Sequence, residues 1–299
     1  MVVDDGSRDA TRAVAEAFAR RDPRFRVVAT PPRGIVAALN EGLARCSAPF
    51  VARLDADDWM HRDRLALQAA ALDAEPTLSG VGCHVRIFPR AGMQPGLREY
   101  ERWLRSIDSA ARVRAERFVE CPLPHPTWML RREAATRLGY RDRGWPEDYD
   151  LLLRLLATGA RLGVVPRRLV AWRDGAARLW RTGASYAPER FLACKAHHLA
   201  AGPLRGVDAY LLWGYGETGR RLRRALETEG KRAAWIVEVH PRRIGNAIHG
   251  ARVVRPESVP SLPRLPLVAS VAGAFARSAI RTECARLGLR EQVDFFVAA

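Results

Sequence analysis

Residues 50–58 read Phe50-Val51-Ala52-Arg53-Leu54-Asp55-Ala56-Asp57-Asp58, an apolar run that ends abruptly in carboxylates. Such a run predicts a buried strand, Phe50–Leu54, whose carboxyl end meets a ligand, because open α/β sheets bind outside the carboxyl ends of their strands. Side chains two apart on an extended chain point the same way, so Asp55 and Asp57 can face one partner. Carboxylate oxygens so placed suit Mg²⁺ or Mn²⁺, which take hard oxygen ligands and bridge to phosphates. A solvated turn capping a helix near Arg62 is the other reading, and it stays open on this stretch alone.

Outward from that stretch, strand-length apolar runs alternate with helix-period segments. Phe25–Ala29 and Leu78–Phe88 read as further strands, and Ala10–Arg20, Ile35–Arg45 and Arg62–Ala74 as helices. The alternation predicts an α/β fold around a mostly parallel sheet. Pro89–Gly96 is expected to be a loop and Tyr100–Val119 one charged amphipathic helix. Further helices are expected from Pro146 to before Gly159 and over Pro188–Ala201. After a linker at Gly202–Gly206 the pattern restarts, with strands at Asp208–Trp213, Ala233–Val239, Leu267–Val271 and Val293–Val297. Helices at Glu217–Glu229 and Ala274–Leu287 lie between them. Two domains are therefore expected, 1–202 and a smaller α/β unit over 207–299 with a core of its own. The chain opens Met1-Val2-Val3-Asp4-Asp5-Gly6-Ser7 and reaches an acidic turn after a very short strand. A parallel sheet rarely starts so briefly, and a first strand and helix are expected to be missing from the front.

Composition narrows the class. The 299 residues are 48% hydrophobic and 27% charged, enough apolar material to fold rather than stay disordered. The longest uncharged apolar stretch, Leu267–Ala276, is about half of the roughly 20 residues a membrane helix needs. The opening residues, with no basic region followed by an apolar segment, do not read as a secretory signal. Five scattered cysteines, none in a C-x-x-C pair, exclude a disulfide scaffold and a zinc ribbon and fit a reducing cytoplasm. Net charge is +16, of which +2 falls before residue 151 and +14 after it. That asymmetry favours an anionic partner. With no aromatic-interleaved basic motif, nucleic acid is not expected, and peripheral contact with an anionic membrane face is the favoured form.

Two further acidic stretches share the strand-end or helix-start placement. Asp4-Asp5-Gly6-Ser7 reads equally as a ligand turn or as a helix cap region. Trp145-Pro146-Glu147-Asp148-Tyr149-Asp150 begins a helix as start rules predict, and equally suits a carboxylate acting as general base on a hydroxyl. The helix field is expected to lower that carboxylate's pKa and keep it ionised. In the second unit, Gly214-Tyr215-Gly216-Glu217-Thr218-Gly219 joins a strand to a helix, and Glu238 closes the next strand. Strand, glycines, helix and distal acid form a dinucleotide fingerprint, with Gly214, Gly216, Gly219 and Glu238 as its binding residues. No Tyr-x-x-x-Lys pair accompanies it, so a nucleotide-binding or purely structural unit is expected rather than an oxidoreductase.

The order of these features carries a resemblance. "VVDDGSRDAT" (2–11), "GIVAALNEGLARCSAPFVARLDADDWMHRDRL" (34–65) and "HPTWMLRREAATRLGYRDRGWPEDYDLLLRLLATGARLGVVPRRLVAWR" (125–173) together resemble the family 2 glycosyltransferases of the GT-A fold. The resemblance implies a GT-A type sheet with flanking helices that binds a nucleotide-diphosphate-sugar donor. It implies Asp55 toward the nucleotide and on the metal, Asp57 on the divalent metal, Asp58 beside them, and Asp4 and Asp5 toward the nucleoside. Glu147-Asp148 matches the family's E-D signature, with Asp148 as base in an inverting transfer to a glycan or lipid-linked hydroxyl. His125 lies on the acceptor side, as a functional or a plain loop histidine. The tail resembles the small Rossmann-like units found beside sugar-modifying enzymes. Two rivals remain: an inert nucleotide or nucleotide-sugar binding protein relying on the second unit, and a nucleotidyltransferase. The latter would want a Gly-rich basic phosphate loop near the front, which the sequence lacks.

Overall fold

A computed structural model describes residues 1–176 and 178–299. The front half does not form the mostly parallel sheet that alternation predicts. Strands Val2–Asp4 and Val27–Ala29 pair in parallel as a separate two-stranded sheet. A five-stranded mixed sheet runs in the order 50–52, 129–131, 78–88, 161–173, 59–60. Only 78–88 and 161–173 are parallel in it; the short strands Phe50–Ala52, Met129–Arg131 and Trp59–Met60 pair antiparallel to their neighbours. Strands of two or three residues carry too little periodicity to declare their direction. Strand 78–88 is buried on both faces, which is why Leu78–Phe88 reads as a continuous apolar run.

The single helix expected over Tyr100–Val119 is two, Pro95–Arg105 and Ala110–Glu116. Ile107 turns inward and is fully buried, and its carbonyl accepts from His84 Nε2 at 2.9 Å. Ser109 then caps the second helix, its hydroxyl accepting from Arg112 N. The helices expected near Pro146 and Pro188 form at Glu147–Ala157 and Pro188–Ala201.

Residues 209–297 hold a six-stranded sheet in the order 247–248, 251–254, 232–237, 209–213, 267–269, 295–297, parallel except for the edge hairpin. The chain winds outward on one side of 209–213, then crosses back to 267–269, so the order reverses between those two strands. Such a switch point leaves a crevice at the carboxyl ends. The two halves are packed together. One hydrophobic cluster runs from Leu43, Tyr149 and Leu152 through Leu199 to Tyr210, Leu222 and Val268. Lys195 Nζ donates to the carbonyls of Val119 and Ala298, both at 2.9 Å, tying one half to the other. No helix among the described residues is long and apolar enough to cross a membrane.

Candidate active site

Strand Phe50–Ala52 runs on into Arg53, whose N–H donates to Trp128 O at 2.9 Å, and the chain then turns through Asp55–Asp58. Asp58 is buried; its Oδ1 accepts from Arg173 N and Arg178 Nη1, each at 2.8 Å. Its second oxygen, Oδ2, is buried with no hydrogen-bond partner among the described residues. Burial pushes the Asp58 carboxyl up although Arg178 and the Arg173 amide pull it down. Asp55 pairs with Arg53 and with Arg178 Nη2, the latter at 2.7 Å. Asp57 is 44% exposed at the side chain and lies 3.6 Å from the same Nη2. Oxygens of Asp55, Asp57 and Asp58 all lie within 4.8 Å of one another. That donor set, with one buried oxygen left over, fits a divalent hard cation.

Helix Glu147–Ala157 begins behind Pro146 and is buried along almost its whole length. Its first turn carries two aspartates shifted in opposite directions. Asp150 is buried too, but its oxygens accept from His198, Trp145 and Arg154, and these partners outweigh desolvation and hold it at about 2. Asp148 accepts only from Tyr149 N, at 2.7 Å, among the described hydrogen bonds. Burial first and the neighbouring Glu147 second push it up to about 7. The ionised, low-pKa carboxylate expected from the helix field is therefore not what forms at Asp148: desolvation and a like charge exceed a surface-scale dipole effect of about 1 kcal/mol. Glu147 is also raised by burial; it accepts from Tyr186 OH at 2.5 Å. His125 is buried against Trp128 and pushed well below its ordinary pKa, so it is neutral, with Nε2 2.8 Å from Tyr140 OH.

A cavity of about 860 Å³ brings these groups together. Asp55, Asp57, Glu147, Asp148, Arg53 and His125 line it, with Tyr100, Trp172, Trp180 and Tyr186 as aromatic walls. Asp4 and Asp5 are not among its lining residues. Asp4 Oδ1 accepts from Ser7 N, and Asp5 accepts from Arg33 N, Gly34 N and Thr30 Oγ1, so both close a turn. The far wall comes from the second half: Thr218 and Ser270, at the switch-point crevice, line the same cavity. Ser270 is buried with its hydroxyl unpartnered, while its carbonyl accepts from Thr218 Oγ1.

The fingerprint glycines serve the fold's own packing in two cases of three. Gly214 has φ +91° and a side chain there would meet Val271; one at Gly219 would lie 2.1 Å from Gly214 O. Gly216 faces open space. Glu238 accepts from Val239 N, His240 N and Arg243, which also donates to Tyr215 O. Arg53, Arg178 and Tyr186 were not singled out by sequence. Arg53 had a signal, standing two residues before Asp55 on the same face; Arg178 and Tyr186 had none.

Residues 1–139 match the family model described as glycosyl transferase family 2. The chain is 28% identical over 176 residues to the amylovoran biosynthesis glycosyltransferase AmsE of Erwinia amylovora, covering 58% of this chain and 64% of that one. It is 31% identical over 186 residues to the succinoglycan biosynthesis protein ExoO of Rhizobium meliloti, covering 56% and 49%. The chain thus spans less than two thirds of the length of these relatives. In fold it is similar to S. aureus TarS 1-349, solved in complex with UDP-GlcNAc, with a TM-score of 0.51 at 16% identity over 75% of this chain and 61% of that one. The match to the glycosyl transferase family 2 model thus covers the front of the chain, residues 1–139.

Proposed function

We propose that the protein transfers a sugar from a nucleoside-diphosphate-sugar donor to an acceptor hydroxyl, with inversion and with Asp148 as general base. The observation that carries this reading is the convergence of Asp55, Asp57 and Asp148, from distant stretches, on one cavity. Asp148 takes the proton of the acceptor hydroxyl as its oxygen bonds to the anomeric carbon. The bond to the nucleoside diphosphate breaks on the opposite face, and its electron pair leaves with the diphosphate. A carboxyl held near 7 is half ionised at neutral pH, matched to accepting a proton and passing it on. Asp55, Asp57 and Asp58 would hold a divalent ion, Mn²⁺ or Mg²⁺, which when bound offsets charge on the departing diphosphate. Glu147, held by Tyr186, keeps Asp148 basic through its own charge. The aromatic walls supply flat apolar faces for sugar rings.

Relatives named for amylovoran and succinoglycan biosynthesis support a growing polysaccharide or its lipid-linked precursor as acceptor. The surplus charge after residue 150 supports peripheral contact with an anionic membrane on the cytoplasmic side. We read residues 207–299 as a Rossmann-like unit, and its wall of the shared cavity supports a part in the same reaction rather than a separate dinucleotide site.

Titrating the full chain with Mn²⁺ and a panel of nucleoside diphosphates tests the assignment. Saturable, metal-dependent binding that disappears in Asp57→Ala, together with loss of transfer, is the expected result. Binding that survives Asp57→Ala but fails in Gly216→Val would move the nucleotide to the second unit and leave the front inert.

A further inference from the structure

The carboxylates of the acid turn already embrace a cation, and it is a side chain. We propose that Arg178 is a displaceable internal counter-ion: it and a divalent metal ion compete for the same oxygens of Asp55, Asp57 and Asp58. This rests on reading the acid turn as a metal site.

The geometry is that of mutual exclusion. Nη2 of Arg178 is 2.7 Å from Asp55 Oδ2 and 3.6 Å from Asp57 Oδ1, and Nη1 is 2.8 Å from Asp58 Oδ1. One guanidinium thereby spans three carboxylates whose oxygens lie within 4.8 Å of one another. A metal ion on those oxygens and a guanidinium on the same ones would place like charges in contact. The charge balance points the same way. Three carboxylates face Arg53 and Arg178, leaving one negative charge; exchange of Arg178 for a divalent ion leaves none. With the guanidinium in place, Asp58 Oδ2 has no partner among the described residues, an oxygen a metal ion could take.

Arg178 stands next to an element with little burial of its own. It follows strand Arg161–Arg173, and the short helix after it, Leu179–Thr182, has no buried residue. Arg181 and Asp174 pair within the segment, and the Arg178 guanidinium rests over the Trp172 ring at 5.7 Å. Elements with few buried contacts open at low free energy. The side chain itself is only 11% exposed, so its ion pairs are not the weak, fully solvated kind.

Calorimetric Mn²⁺ titration of the full chain, without nucleotide, tests the proposal on wild type, Arg178→Ala and Arg178→Lys, with melting curves showing that each is folded. Removing a competitor raises the fraction of binding-competent protein, so Arg178→Ala should tighten Mn²⁺ binding about tenfold or more. Lysine keeps the charge but lacks the planar fork, so Arg178→Lys should fall between the two, and it alone decides the matter should the alanine variant not fold. Equal or weaker Mn²⁺ affinity in the variants overturns the competition while leaving the proposed reaction standing. Absence of Mn²⁺ binding in every chain overturns both the competition and the metal in the proposed reaction.

Discussion

The acid turn at 55–58 and the glycine turn at 214–219 both sit at the carboxyl end of a strand, where an α/β fold offers a ligand site. They differ in what the chain itself already uses. In the glycine turn, Gly214 and Gly219 are required by close packing, and Glu238 is engaged by two backbone amides and Arg243. In the acid turn, one oxygen of Asp58 is buried without a partner among the described residues, and the cluster stays one charge short of neutral. Packing accounts for Gly214 and Gly219 without a ligand, whereas no packing role among the described residues answers the free oxygen of Asp58. A motif becomes evidence of binding when its polar atoms remain unanswered.

Several substitutions would break or sharpen that contrast. The largest effect belongs to the cavity the acid turn opens onto: Asp148→Asn should lower transfer by about 10²- to 10⁴-fold with the fold intact, the usual share of a positioned base. A loss below tenfold, measured as kcat at saturating donor, would remove Asp148 from proton transfer. Next comes pH. Asp148 accepts a proton only when ionised, and its carboxyl is raised to about 7. Transfer should therefore fall as pH drops through about 7, and that limb should be missing from the residual activity of Asp148→Asn. A flat profile from pH 5 to 8 would contradict the base assignment. The smaller effects concern the glycine turn. Gly219→Ala drives a methyl against Gly214 O and should destabilise by about 3 kcal/mol, read by urea unfolding. Gly216→Ala meets nothing and should change stability by less than about 0.5 kcal/mol. Equal costs at both positions would mean that the turn is not held by packing.

Much of this was legible in the sequence, for definable reasons. Long elements with strong periodicity, such as Leu78–Phe88, Glu147–Ala157 and Glu217–Thr228, form where their patterns place them. The acid turn was legible because carboxylates after an apolar run have few packing explanations. Strand direction was not, since three-residue strands such as Met129–Arg131 take theirs from partners far along the chain. The state of Asp148 was not, because helix position is local whereas burial and the engagement of Glu147 are tertiary. Nor was Asp5 separable from a ligand contact, since the amides of Arg33 and Gly34 that it accepts from lie 28 and 29 residues away. Arg178 reaches carboxylates 120 or more positions earlier in sequence, and nothing near it announces that.

The apolar cluster that passes from Leu43 and Leu152 into Tyr210 and Val268 bears on how the chain comes apart. Two regions joined by one apolar cluster are expected to melt together. Heating should give one cooperative transition. Scission at residues 202–206 should yield halves whose bared apolar faces aggregate, so the protein is better dissected by point substitution than by cutting.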